Sequence, residues 1–125
     1  MSNKDIVDRF FEKWQTGNIA GAMDECTEDA VWNNVPMKPI EGKAAIESFL
    51  TKFAKGMSDI HYDISYVMEE GDRLMLEGVE NYTKSGHKVS VPYMASFQFR
   101  GGKIAAWADY FDLTTVERQL GLKST

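Results

Sequence analysis

A change of hydrophobic period restricts this chain more than any other feature. From about residue 60 to residue 112, apolar residues recur at every second position. Three turn signals break the run: Glu70-Gly71-Asp72, Ser85-Gly86 and Gly101-Gly102. Alternation places successive side chains on opposite faces of a strand, and the breaks are short enough for hairpins. Four long strands are therefore predicted at 60–69, 73–83, 88–100 and 103–112. Upstream the spacing is helical. Ile6, Val7, Phe10, Phe11 and Trp14 share one face of a helix over 3–16, with Ser2 or Asn3 as its cap and Gly17 as its stop. Asn18 caps a short second helix through Ile19, Ala22 and Met23, and Cys26 falls late in it. A short strand follows at 30–34, and Pro36 and Pro39 force a loop. A third helix over 42–56 carries Ala45, Ile46, Phe49, Leu50 and Phe53, and a last short helix is predicted at 114–120. Helices first and antiparallel strands second define an α+β class rather than βαβ. A length of 125 residues fits one domain, 1–125.

Charge and composition narrow the function. The net charge is −5 and the lysines are scattered singly, which argues against nucleic acid and anionic membrane surfaces as partners. No apolar run approaches a membrane-spanning length, and the Met-Ser-Asn-Lys-Asp start does not read as a secretory signal. Cys26 is the sole cysteine. No intrachain disulfide can form, which fits a cytoplasmic location, and core packing is its expected role. His61 and His87 are isolated, with His87 expected at an exposed turn, and no pair has metal-ligand spacing. The phosphate-cradling and nucleophile-elbow glycine motifs are absent as well. No metal or other cofactor is expected.

Strand faces locate the candidate chemistry. The more apolar faces hold Leu74, Leu76, Gly78, Glu80 and Tyr82 on one strand; Val89, Val91, Tyr93, Ala95, Phe97 and Phe99 on the next; and Ala105, Trp107, Asp109 and Phe111 on the last. These faces should look toward the helices. Two carboxylates, Glu80 and Asp109, then point inward among apolar neighbours, with no Lys or Arg on those faces. Burial raises a carboxyl pKa, and a second acid nearby raises it further. One of the pair can then donate a proton at neutral pH while the other accepts one. The alternative is that each acid only satisfies a buried tyrosine, tryptophan or backbone donor. For Glu80, a register slip of one residue would also turn it to solvent. Asn34 either positions a water or an oxyanion, or forms the turn before Pro36. Trp14, Trp32, Tyr93, Trp107 and Phe111, with Met57 and Tyr82, either line a hydrophobic pocket or fill the core.

The segment Gly101-Gly102-Lys103-Ile104-Ala105-Ala106-Trp107-Ala108-Asp109-Tyr110-Phe111-Asp112-Leu113 and the segment Trp32-Asn33-Asn34-Val35-Pro36 carry a family resemblance. Together they resemble limonene-1,2-epoxide hydrolase and, more broadly, the SnoaL-like (polyketide cyclase-like) members of the nuclear transport factor 2-like superfamily. The resemblance implies a cone-shaped, curved antiparallel or mixed sheet packed by N-terminal helices, the cystatin-like roll. It also implies a homodimer through the outer sheet face, where Met94, Ala106, Ala108 and Tyr110 would lie. In the epoxide hydrolases an Asp–Arg–Asp triad works with an Asn and a Tyr. Carried over, the base falls on Asp109, the second acid on Glu80 and the Asn on Asn34. The Tyr falls on Trp32, which cannot accept a hydrogen bond from water, and the Arg falls on Gly78. Loss of the Arg removes the positive bridge between the acids. A base in an apolar cone still suits proton abstraction beside a carbonyl, as in the ketosteroid isomerase-like and polyketide cyclase-like relatives. Two functions follow. One is a cofactor-independent acid–base enzyme for a small hydrophobic molecule, acting by epoxide hydrolysis, isomerisation or cyclisation. The other is a non-catalytic ligand-binding or dimerisation module.

Overall fold

The first helix starts where its cap chemistry dictates. In the computed structural model, which describes residues 2–122, α1 spans Asn3–Gln15 behind an Ser2 cap. The Ser2 hydroxyl accepts from the Asp5 amide and the Asp5 carboxylate accepts from the Ser2 amide. Ile6, Val7, Phe10, Phe11 and Trp14 form its buried face. Gly17, with φ +82°, follows the helix end. The short α2 (Ile19–Met23) is capped by Asn18. Glu25 then fixes α1 against the chain leaving α2: it is 8% exposed and accepts from Arg9 at 2.8 Å and Lys13 at 2.7 Å. Its pKa is lowered, chiefly by the Arg9 hydrogen bond.

The remaining elements are β1 (Cys26–Asn34), β2 (Ile40–Glu41), α3 (Lys43–Phe53), β3 (Met57–Glu70), β4 (Arg73–Lys84), β5 (His87–Arg100), β6 (Lys103–Tyr110) and α4 (Leu113–Gln119). They build one open mixed sheet in the order β2-β1-β6-β5-β4-β3. Three hairpins join β3 to β6, and β1 adds in parallel beside β6. The helical segments cover one face of the sheet. Phe10 meets Trp107 edge-on at 5.2 Å, Phe11 stacks on Tyr62 at 4.4 Å, and Phe97 lies fully buried between the layers. Each such ring contributes ~1.5–3 kcal/mol by burial and ~0.5–1.5 kcal/mol by aromatic pairing.

Some boundaries differ from the sequence reading. β1 begins at Cys26 rather than residue 30, so Cys26 opens a strand instead of ending a helix. It is buried, and burial pushes its thiol up to about 12, leaving it a packing residue. The predicted proline loop contains the two-residue β2, which pairs with Val31 and Trp32. On β6, a bulge lies opposite the Gln98–Phe99 step, so Phe99 pairs with Ile104 and Gln98 with Ala106. Ile104 therefore turns inward and is fully buried, although simple alternation assigns it to the outer face.

β3 is less regular. Its register shifts between Ser58 and His61 and again between Ile64 and Tyr66. At the second shift its backbone presses on Gly78: a Cβ there would lie 2.2 Å from the Asp63 carbonyl oxygen and 2.9 Å from the Ile64 Cα. No side chain larger than hydrogen fits. On the outer face, Met75, Met94 and Tyr110 are 49%, 43% and 48% exposed. Gly78→Ala is expected to cost about 2–3 kcal/mol, read from the urea midpoint. An unchanged midpoint would contradict the close β3–β4 approach.

Candidate active site

Between the sheet and the helices lies a cavity of about 450 Å³, within the ~300–1,000 Å³ usual for small-molecule sites. Its walls are mainly aromatic. Trp14, Trp32 and Trp107 line it rather than fill it, and Phe111, Leu113, Val116 and Leu120 border it from the C-terminal segment. Two carboxylates, Glu80 and Asp109, face this space together.

Register explains their placement. Asp109 sits on β6 between Asn34 of β1 and Ala95 of β5. One of its oxygens accepts from the Tyr93 hydroxyl at 2.6 Å and the other from the Trp32 indole at 2.7 Å. Glu80 sits on β4 opposite Tyr62 and Val91, and Oε2 accepts from the Tyr62 hydroxyl at 3.0 Å. The rings of Tyr62 and Tyr93 lie 5.4 Å apart. The two donors that serve the two acids are thus neighbours.

Both acids are hard to ionise. Desolvation raises Glu80 to about 7, the charge of Asp109 adds to that rise, and the Tyr62 hydrogen bond opposes it. Desolvation raises Asp109 to about 6 against hydrogen bonds from Tyr93, Trp32 and Trp107. Burial lifts Tyr62 and Tyr93 well above the usual phenol range, so their hydroxyls keep their protons and remain donors. Tyr82 is pushed up to about 12, again chiefly by burial. Neither carboxyl has a cation among the causes of its shift. The inward faces do hold one: Lys84, one place beyond the predicted strand end, borders the cavity. This corrects the expectation of cation-free faces. Its ammonium is nevertheless committed to the Phe53 and Lys55 carbonyls and lies over the Phe53 ring.

The fold matches that of known proteins. The family model described as the SnoaL-like domain matches residues 7–107. The chain belongs to the SnoaL-like domain family. Solved structures share its fold. One is described as a polyketide cyclase from Pseudomonas putida, 21% identical, covering 95% of this chain and 98% of that one at a TM-score of 0.87. Another is a protein of ketosteroid isomerase-like fold from Catenulispora acidiphila in complex with trimethylamine, 21% identical, covering 98% and 96% at 0.85. A third is an LEH-like epoxide hydrolase from M. tuberculosis, 20% identical, covering 94% and 90% at 0.81. The nuclear transport factor 2-like architecture expected from the resemblance is therefore the one observed.

Most residues singled out in the sequence of this SnoaL-like domain meet at the cavity: Asp109, Glu80, Asn34, Trp14, Trp32, Tyr82, Tyr93, Trp107 and Phe111. Met57 does not. It packs between the two hydrophobic clusters at the start of β3, because β3 shifts register just beyond it. Asn34 forms the turn weighed for it and also borders the cavity. Its carbonyl accepts from the Met37 amide at 2.6 Å to form the turn, while its carboxamide borders the cavity without a hydrogen bond among the described residues. Trp32 donates directly to Asp109 instead of orienting water. Tyr62 was missed. Counted without interruption from the Glu70–Arg73 pair, Glu80 would face Asp63; the bulge brings Tyr62 there instead. Among the described residues, no group of three or more His, Cys, Asp or Glu could hold a metal ion, and no helix is long and apolar enough to cross a membrane.

The raised acids have a linkage consequence. An unfolded carboxyl titrates near ~4, so the folded state holds protons on Glu80 and Asp109 that the unfolded chain has already lost. Their stabilising contribution is complete below pH ~4 and is lost as pH rises through about 6 and 7. Glu80→Gln, which can still accept from Tyr62, is expected to exceed the wild type in stability at pH 8 by about 1–3 kcal/mol. That advantage should vanish near pH 4.5 in urea titrations. A variant less stable than wild type at pH 8 would contradict this electrostatic account.

Proposed function

We propose that this SnoaL-like domain is a cofactor-independent acid–base enzyme that moves a proton on a small apolar carbonyl compound. The observation that carries the reading is the pair of carboxyls on one apolar cavity, both with acidities raised toward neutrality by burial. Between about pH 6 and 7 the pair shares roughly one proton. Asp109, ionised, removes a proton from the carbon beside the carbonyl. Glu80, protonated, donates toward the carbonyl oxygen as negative charge develops there. Return of the first proton from Asp109 to a different carbon, with the oxygen-bound proton going back to Glu80, completes an isomerisation; attack of the same enolate carbon on an internal carbonyl, whose oxygen takes the proton from Asp109 while Glu80 recovers its own, gives a cyclisation. The Asn34 carboxamide is free to donate a hydrogen bond to the oxyanion. Epoxide hydrolysis has weaker support, because the position matching the family's bridging arginine is Gly78 and has no room for a side chain.

Ligand binding without chemistry is the second reading. It is favoured by the engagement of both Asp109 oxygens by Trp32 and Tyr93, which leaves less of the carboxylate for a substrate proton. The complex of the Catenulispora acidiphila relative with trimethylamine supports small organic molecules as ligands under either reading. The exposed Met94 and Tyr110 further support a homodimer through the outer sheet face.

A β,γ-unsaturated cyclic ketone in deuterated buffer, followed by proton NMR, separates the two readings. The enzymatic reading expects exchange or double-bond migration fastest between pH 6 and 7, and a loss of about 10²–10⁴-fold in Asp109→Asn. Binding of the ketone with exchange no faster than buffer would leave the binding module. Sedimentation of the wild type against Met94→Asp tests the dimer, which the substitution should shift toward monomer.

A further inference from the structure

The cavity has an unmet electrostatic demand. Both Asp109 oxygens accept hydrogen bonds, but Glu80 uses only Oε2, and its other oxygen has no hydrogen-bond partner among the described residues. Among the described residues, no positive group reaches either acid. Lys84 is tied to two backbone carbonyls, and a guanidinium cannot start from Gly78. Around the acids stand the rings of Trp14, Trp32, Trp107, Phe10, Phe11 and Tyr62. Rings beside a buried carboxylate suit a cation with an apolar body, which gains cation–π attraction and a charge-assisted hydrogen bond while its carbon substituents stay out of water.

We propose that the cavity binds small apolar amines in their protonated form, with the ammonium donating to the free oxygen of Glu80 and lying between Glu80 and Asp109. The ammonium takes the place that a fixed arginine would otherwise fill. This goes beyond the proton-transfer reading and does not rest on it, since binding needs no turnover. An amine held there ionises both acids and leaves no proton donor, so it inhibits any proton transfer in the same cavity.

The groups facing Glu80 set the pH response. They are Tyr62 from β3, Tyr82 on β4, Tyr93 from β5 and Asp109 from β6, with Lys84 and the α4 residue Glu117 also bordering the cavity. The α1 side chains that line it, Phe10, Phe11 and Trp14, do not titrate in this range. The tyrosines keep their protons, so the two carboxyls respond. Amine affinity rises from pH 5 to pH 8 as they ionise, and falls again once the amine itself loses its proton. Because the bound cation favours ionised Glu80, binding near pH 6.5 releases protons.

Calorimetry with N,N-dimethylbenzylamine and the neutral, similarly sized benzyl methyl ether tests this. At pH 8 the amine is expected to bind at least ~10-fold more tightly than the ether. Titrations at pH 6.5 in two buffers of different ionisation enthalpy should show proton release with the amine alone. Glu80→Gln should weaken the amine ~10-fold and leave the ether unchanged, which also shows that the cavity is intact; Asp109→Asn should act in the same direction. Equal affinities for amine and ether, or an amine affinity unmoved by Glu80→Gln, would overturn the proposal. Absence of turnover with the ketone would not, so the two readings fail separately.

Discussion

Desolvation of two carboxyls without a counter-cation is the constraint around which this molecule is organised. A carboxylate removed from water must be paired, hydrogen-bonded or neutralised. Here pairing is not used. Asp109 is held by Tyr93 and Trp32, Glu80 by Tyr62, and the remaining cost appears as retained protons. The four strands β1, β3, β5 and β6 that supply donors or acids beside β4 must therefore keep their registers. Each hydrogen bond joins residues 16, 18 or 77 positions apart in the chain. Helix α1, pinned through Glu25, lines this arrangement with aromatic rings.

Much of that arrangement is legible in the sequence because it rests on period-two alternation. The inward sets on β4 and β5 match those read from the spacing, so Glu80, Tyr82 and Tyr93 could be placed beforehand. The caps Ser2 and Asn18 follow from side-chain chemistry at helix starts. Alternation fails where the strands bulge. Ile104 turned out buried because β6 carries an extra residue there, and Tyr62 came to face Glu80 because β3 does. A bulge depends on how two strands accommodate one another, and neither strand's own pattern announces it. The parallel pairing of β1 with β6 was equally hidden, since it joins the two ends of the domain. The cavity itself could not be read from composition, because the same aromatic residues serve as packing or as walls.

Membership in the SnoaL-like family explains the scaffold more than the chemistry. Relatives near 20% identity share the whole architecture, whereas the chemistry depends on the polar groups of this chain. Trp32 illustrates this. An indole N–H can only donate, so at this position it binds the acid itself and helps keep Asp109 ionised. A hydroxyl could instead have passed a hydrogen bond on to water. The donor type at position 32 thus serves charge stabilisation at Asp109.

The β3 bulge over Gly78 also limits how this protein can diversify. Reaching an arginine-bridged acid pair from here takes more than one codon change, because any side chain at position 78 meets the Asp63 carbonyl first. Removing the extra residue of β3, Ser65, would straighten the hairpin while leaving Ile64 opposite Gly78 and Tyr62 opposite Glu80. The substitution is blocked while the bulge stands, whereas loss of the bulge residue keeps the donor of Glu80 in place. The order of change is therefore fixed by a single misaligned strand: the backbone at Asp63 must move before position 78 can carry a side chain.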